Sequence, residues 1–232
     1  MKISLLIFCL NEIIGLKSVL SRIDKSLFDE VIVFDGGSTD SSIEYSEKLG
    51  FNVVHQKMKG LKYVVLEGLN VPTGDVIIMF TPDGNCIPEK LPELVEKLKE
   101  GYDLVTVSRY KDDAKSYDDT IISGFGNWVF TKMVNILFKA NYTDVLGVYR
   151  GFRKDVLTRT GLDKDMKLSF NTQLCIRCAK MGLKVTEIPG DEPKRIGGES
   201  STKTIKHGSM ELFTILGEFF SRKKYSKTEH EK

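Results

Sequence analysis

Five short apolar runs, separated by segments of helical periodicity, constrain this chain more than any other feature. The runs are Ile3 to Phe8, Val31 to Phe34, Phe51 to Val54, Val76 to Phe80 and Leu104 to Val107. Helix-like stretches lie between them, at 12–24, 40–49, 61–70 and 88–100. Strand and helix in alternation predict an α/β domain: a mostly parallel central sheet with helices on both faces. In PEKLPELVEKLKEG the apolar positions Leu91, Leu94, Val95 and Leu98 keep helical spacing, and Gly101 is the expected C-terminal cap.

The pattern changes after Arg109. YKDDAKSYDD reads as a loop and GFGNWVFTKMVNILFKANY as a helix. TDVLGVYRGFRKDVL reads as loop and short elements, and SFNTQLCIRCAKMGLKVTEIP as helix and strand. KRIGGESSTKTIKHG reads as a flexible loop. A last helix is expected near 209–221, carrying Met210, Leu212, Phe213, Ile215, Leu216, Phe219 and Phe220, with Glu211, Thr214, Glu218 and Ser221 on the other face. A basic tail with Arg222, Lys223, Lys224 and Lys227 follows. Such a face either packs on its own domain or lies along a membrane surface. The expected organisation is a catalytic domain over 1–205, then an amphipathic helix and basic tail over 206–232. No run reaches the roughly 18–20 apolar residues of a membrane span. MKISLLIFCLNE lacks a small-residue cleavage site and reads as a first strand, not a signal peptide.

The 34 Lys and Arg against 32 Asp and Glu leave a charge of +2, so no global field draws the chain to nucleic acid. Cys175 and Cys178 form a C-x-x-C, but a second ligand pair is missing and the spacing sits on a helix, where it places two small apolar groups on one face. His55, His207 and His230 are too scattered for a zinc site.

Three acids follow strand runs: Glu12 the first, Asp35 the second and Asp83 the fourth. In a parallel sheet those ends share the edge where ligands bind. Turns favour Asp and Gly in any case, so three ordinary connections would carry similar residues. As a set the three acids fit ribose hydroxyls and a divalent cation. In DGGSTDSS, Gly36 and Gly37 permit a tight turn and close backbone approach to a ligand, and Asp40 caps the next helix. Neither a G-x-G-x-x-G fingerprint nor a P-loop lysine is present, which argues against a dehydrogenase or a P-loop enzyme.

SLLIFCLNE, VIVFDGGSTDSS, IIMFTPDGNCIPE, VTVSRY and RIGGES stand in the order and spacing of family 2 glycosyltransferases of the GT-A fold. The chain resembles the polyprenyl-phosphate sugar synthases in particular, such as dolichyl-phosphate mannose synthase, over about residues 3–205. The resemblance implies that Asp35 meets the nucleotide base and that Glu12 helps bind the nucleoside, with Gly37 and Ser200 completing the nucleotide site. It implies that Asp83 and Asn85 hold Mg²⁺ or Mn²⁺ against the diphosphate. Arg109 and Arg195 match arginines facing that diphosphate, and Asp144 and Arg150 match a segment near the acceptor. The chemistry agrees: a leaving nucleoside diphosphate needs a cation and guanidinium groups, and Mg²⁺ needs few protein carboxylates when phosphates and water complete its shell.

Two positions depart from the family pattern. Thr81 stands where an acid usually opens the D-x-D element, and Gln173 where many hydroxyl-glycosylating members carry an acid. A hydroxyl acceptor needs a base, whereas a phosphate is already an anion, so Gln173 leans toward a lipid phosphate. Asp118, Asp119 and Asp144 remain candidate bases for a hydroxyl acceptor. The implied function is an inverting glycosyltransferase moving a sugar from a UDP or GDP sugar to a polyprenyl phosphate, in the cytoplasm at the cytoplasmic face of a membrane. The alternatives are transfer to a hydroxyl of a surface glycan, or an inactive nucleotide-sugar-binding partner. A nucleotidyltransferase is disfavoured because no glycine-rich basic loop follows the first strand.

Overall fold

The computed structural model describes residues 1–58, 61–167, 169–197 and 204–221. One seven-stranded sheet runs through the domain in the order β3-β2-β1-β4-β6-β5-β7. Its strands are β1 (Ile3–Cys9), β2 (Glu30–Asp35), β3 (Asn52–His55), β4 (Val76–Phe80), β5 (Leu104–Ser108), β6 (Arg150–Arg153) and β7 (Val185–Pro189). All neighbours pair in parallel except β6, which runs antiparallel to both β4 and β5. The helices are α1 (Ile13–Val19), α2 (Ser42–Lys48), α3 (Leu61–Gly68), α4 (Leu91–Lys99), α5 (Ile121–Phe138), α6 (Asp155–Arg159), α7 (Phe170–Met181) and α8 (Thr204–Phe220).

The strands read as unbroken apolar runs because both faces are buried. Alternate residues of β1 divide between two cores: Leu5 and Ile7 join Leu16, Leu94 and Val107 on one side, while Leu6 joins Phe152, Leu174 and Ile215 on the other. Residues 12–24 hold α1 and a 3₁₀ turn over Leu20–Arg22, and the helix expected at 88–100 opens with a 3₁₀ turn over Pro88–Lys90. Gly101, at φ +85°, ends α4 as expected, its N–H donating to the Leu98 carbonyl.

Three expectations change. The helix after the polar loop starts at Ile121, three residues earlier than expected, where Thr120 and Ser123 form a capping box. The early start adds Ile121 and Ile122, and the 18-residue helix reaches a mean hydropathy of 1.2, enough by length and composition to cross a membrane. The segment read as a loop to residue 208 is helical from Thr204, so α8 spans the 205/206 boundary, and its Ile215 is fully buried.

The sequence left open which side of α8 faces in, and the structure buries Ile215 together with polar groups. Thr214 and Glu218 are buried, while Phe213, Phe219 and Phe220 are exposed. Glu218 accepts from Arg177 Nε (2.9 Å), Gln173 Nε2 (3.0 Å) and Lys180 Nζ (3.1 Å). Burial pushes the Glu218 carboxyl up, but these donors outweigh it and hold it at about 2, against an ordinary 4.5. A depressed carboxyl contributes stability that is complete above its unfolded value and lost as pH falls through its folded one. Glu218→Gln is therefore expected to lose about 2 kcal/mol at neutral pH. The gap between variant and parent should close as pH falls from 4.5 towards 2, and denaturant titrations across that range would measure it.

Candidate functional site

The turns after β1, β2 and β4 lie side by side because β1 pairs with both β2 and β4 in parallel. Asp35 ends β2 with its side chain buried. Its carboxylate accepts from Gly37 N (2.9 Å) and Ser38 N (3.0 Å) and meets His55 Nδ1 at 3.2 Å. Burial raises its carboxyl, and the Ser38, His55 and Gly37 bonds bring it below the ordinary range. Gly37, at φ +101°, is exposed at the rim. Asp40 caps more than the next helix, as it accepts from Ser42 N (3.1 Å) at the start of α2 and from Ile13 N (3.0 Å) at the start of α1.

Glu12 is buried in the turn before α1, and its N–H donates to Ser42 Oγ (3.0 Å). One oxygen, Oε1, accepts from Arg195, while Oε2 is buried with no protein partner. Burial pushes the Glu12 carboxyl up; Arg195 opposes this and Asp83 adds to it. A buried acceptor without a donor is costly in an empty protein. It suits a ligand hydroxyl or amide.

Asp83 sits between these acids and the cavity beside them. Its Oδ2 accepts from Arg195 Nη1 (2.8 Å) and its Oδ1 from Thr81 Oγ1 (2.9 Å) and Asn85 N (3.2 Å). The turn is tight on two sides. Gly84, at φ +93°, leaves no room for a Cβ against Ile196, and a Cβ at Gly15 would come within 2.0 Å of the Pro82 carbonyl oxygen. The chain after β7 docks onto this turn: Ile196 N donates to Asp83 O (2.9 Å) and Asn85 Nδ2 to Pro193 O (2.8 Å). Asp118 accepts from Arg195 N (3.0 Å), and the guanidinium of Arg195 bridges Glu12 and Asp83.

Arg109 stands across the cavity. Asp144 binds it through Nε (2.6 Å) and Nη2 (3.0 Å), and Glu192 meets Nη1 at 3.2 Å. The cavity, about 140 Å³, is lined by Asp83, Asn85, Arg109, Tyr149 and Glu192 among others. Asp144 is fully buried and also accepts from Asn127 Nδ2 (3.1 Å), Leu146 N (3.1 Å) and Gly147 N (3.0 Å). Burial raises its carboxyl, and Arg109, Arg150 and the Gly147 N–H outweigh that and hold it low.

The expected set is thus brought together in part. Glu12, Asp35, Asp83, Asn85, Arg109 and Arg195 converge on one sheet edge. Ser200 lies outside the described residues. Asp144 does not fit a base: its oxygens are saturated with donors and its proton affinity is lowered, so it orients Arg109 instead. Arg150 is buried in the sheet, donating to the Gly147 and Asn171 carbonyls, and is structural. Gln173 does not stand at the cavity. Its amide joins α7 to Glu218 on α8 and accepts from Lys167 N (2.9 Å). Asp119 accepts from the Tyr110 hydroxyl, so both loop acids are engaged. Glu192 was not foreseen, although it follows β7 as Asp83 follows β4. Burial pushes its carboxyl up against the pull of Arg109.

Among the described residues no three His, Cys, Asp or Glu side chains are grouped to hold a metal by themselves. The groups that Thr81, Asp83 and Asn85 offer are hydroxyl, carboxylate and amide oxygens, which fit a hard divalent cation completed by phosphate oxygens.

The family model described as Glycosyl transferase family 2 matches residues 4–161. Over 202 residues the chain is 27% identical to Glycosyltransferase AglJ of Haloferax volcanii, covering 86% of this chain and 66% of that one. Over 222 residues it is 29% identical to Dolichol-phosphate mannosyltransferase of Pyrococcus furiosus, covering 88% and 60%. The chain therefore spans less than two thirds of the length of either relative. Its fold is similar to the crystal structure of glucosyl-3-phosphoglycerate synthase from Mycobacterium tuberculosis in complex with Mn²⁺, uridine-diphosphate and phosphoglyceric acid, at a TM-score of 0.70 and 19% identity. That match covers 94% of this chain and 78% of the other.

Proposed function

Because this chain belongs to glycosyl transferase family 2, we propose that it transfers a sugar, with inversion, from a nucleotide-diphosphate sugar to a polyprenyl phosphate at a membrane surface. The observation that supports the reading is the bridge Glu12–Arg195–Asp83 beside Asp35, a row of acids and a guanidinium along one edge that suits a base, a ribose and a diphosphate. The name of the Pyrococcus relative supports the lipid-phosphate acceptor.

Asp35 is pre-set as an acceptor for the base, its position fixed by Gly37 and Ser38. Glu12 Oε2 takes a donor from the nucleoside. Asp83 and Asn85 would hold Mg²⁺ or Mn²⁺, whose charge, when bound, stabilises the diphosphate as it leaves. The phosphate oxygen of the acceptor attacks the anomeric carbon as the bond from that carbon to the diphosphate oxygen breaks. Arg109, aimed by the paired bonds of Asp144, meets the charge that develops on the leaving group. No base is required, since the acceptor oxygen is already anionic.

Arg195 has two tasks. In the empty protein it neutralises Glu12 and Asp83, and with donor bound it turns to the diphosphate. Arg195→Ala should therefore bind Mn²⁺ more tightly without nucleotide, yet turn over roughly 100-fold more slowly. Calorimetry with Mn²⁺ alone and initial rates with donor would read the two effects. Equal losses in both would remove the exchange.

Glu192 favours a second reading, transfer to a glycan hydroxyl, because its carboxyl is raised and lines the cavity. The deciding assay offers UDP and GDP sugars with Mn²⁺ and either polyprenyl phosphate or a free oligosaccharide. Product on the lipid phosphate, retained in Glu192→Gln, supports the first reading. Product on the oligosaccharide alone, lost in Glu192→Gln, replaces it with the second.

A further inference from the structure

We propose that His55 makes this a uracil site: by occupying one oxygen of Asp35 it leaves the carboxylate a single acceptor, which selects a UDP sugar over a GDP sugar. The backbone places the pair. Strand β2 lies between β1 and β3, with Asp35 in register with Cys9 on one side and His55 on the other. Gln56 N donates to the Asp35 carbonyl (2.8 Å) and Gly36 N to the Cys9 carbonyl (2.8 Å), so the three strand ends are held level. Asp35 is 1% exposed, whereas the His55 side chain is 62% exposed and Leu10, which lies against Gly36, is 51% exposed. The narrow approach to Asp35 is thus flanked by an imidazole and an apolar side chain.

The carboxylate is nearly filled. An ionised carboxylate offers about four lone-pair sites, shared between its two oxygens. Oδ2 accepts from Gly37 N (2.9 Å) and faces His55 Nδ1 (3.2 Å), while Oδ1 accepts from Ser38 N (3.0 Å). The Ser38 side chain also bonds this carboxylate, through a hydroxyl whose proton is free to rotate. Asp35 is held ionised, its carboxyl below the ordinary range, so the ring nitrogen that faces it carries the proton and His55 is the donor. At most one site remains open, and it is on Oδ1.

The bases differ at the edge that meets a carboxylate. Guanine presents two adjacent donors, N1–H and the N2 amino group, and needs an acceptor on each oxygen. Uracil presents one donor, N3–H, between two carbonyl oxygens. If both carboxylate oxygens were bare, a uracil carbonyl would face one of them and be repelled; His55 and Gly37 cover that oxygen. Against the carboxylate as it stands, guanine would leave a donor desolvated and unpaired. Cytosine and adenine have no ring N–H at this edge. One imidazole donor thus both excludes the purine and accommodates the pyrimidine. His55 acts through Asp35 and is a positioning residue. The inference rests on the transferase reading, in which Asp35 meets the base.

The test is calorimetric titration of the full chain with UDP and with GDP, each with Mn²⁺, and it needs neither acceptor nor turnover. The parent should bind UDP about tenfold more tightly than GDP. His55→Ala frees Oδ2, so it should weaken UDP and strengthen GDP, shrinking that ratio about tenfold. His55→Asn should restore the parent ratio, because its amide nitrogen stands as far along the side chain as the imidazole Nδ1. His55 is largely exposed at the end of β3, so unchanged melting temperatures would confirm folded variants. A purely structural His55 would lower both affinities equally and leave the ratio fixed, which overturns the proposal. So does a parent that prefers GDP or binds the two alike, and the transferase reading survives either result. If neither nucleotide binds the parent, that reading falls and takes the uracil site with it.

Discussion

Asp83→Ala should abolish cation-dependent binding of the nucleotide sugar and slow turnover by roughly 100- to 1000-fold. Asp83 is the cavity carboxylate assigned to the cation, Glu192 being paired with Arg109, and its replacement removes the charge on which a divalent cation would depend. Thr81 and Asn85 are neutral and both donate to its Oδ1, so neither replaces its charge. The fold should survive. Arg195 keeps Glu12 as a partner and remains partly exposed, so no unpaired charge is sealed inside. Titration with UDP and GDP sugars in Mn²⁺ and then in EDTA separates the outcomes. Metal-dependent binding in the parent that vanishes in the variant supports the assignment. Binding of equal strength in both would move the cation elsewhere. Thr81 acquires a role from the same geometry: its hydroxyl donates to Asp83, a service a second acid would not provide. Thr81→Val should therefore weaken cation binding, whereas an idle position would tolerate it.

Asp144→Ala should be the most destabilising single change at the site, at about 3–5 kcal/mol, because it strands the Arg109 guanidinium and three further donors. For a domain of this size that lowers the melting temperature by roughly 10 °C. Asp144→Asn keeps an acceptor for Asn127 and the Gly147 N–H while losing the charge, and should fall between the two. The pH dependence has a fixed sign. The Asp144 carboxyl is held low, so its contribution is complete above the ordinary carboxylate value and lost as acid takes pH through the lower folded one. Calorimetric melts at neutral and acid pH should show variant and parent converging in acid. If Asp144→Asn kept full stability but lost turnover, Asp144 would be acting on substrate and not through Arg109.

Much of this was legible beforehand, for physical reasons. Strands sealed on both faces are continuous apolar runs, so β1, β2, β4 and β5 stood out, and the acids following three of them converge as a parallel sheet requires. Strand β6 did not stand out. Its four residues are Arg150, Gly151, Phe152 and Arg153, and a fully buried arginine whose donors are met by carbonyls has no signature in a hydrophobicity pattern. Asp144 and Gln173 were misplaced for a related reason. Position in a motif gives proximity along the chain, whereas their roles depend on which helix packs against them. Glu192 was missed because β7 was read for its strand and not for the acid after it. The setting of α8 was left open because periodicity identifies an apolar side without saying what it meets.

The one reversed strand has a consequence for the width of the site. Neighbouring strands lie about 4.8 Å apart, so β6 holds β4 and β5 about 10 Å from each other. It acts as a spacer: Asp83 leaves one side of the gap and Arg109 the other, and the aperture between cation site and guanidinium is set by backbone hydrogen bonds, not by loops. Because β6 runs backwards, the segment feeding it arrives at the ligand edge, bringing Asp144 to Arg109. Leu146, Gly147 and Val148 line the mouth of the aperture, between the buried Val145 and Tyr149, while its calibre is set by the strands. That division separates the shape of the mouth, made by a loop, from the distance across it, made by the sheet.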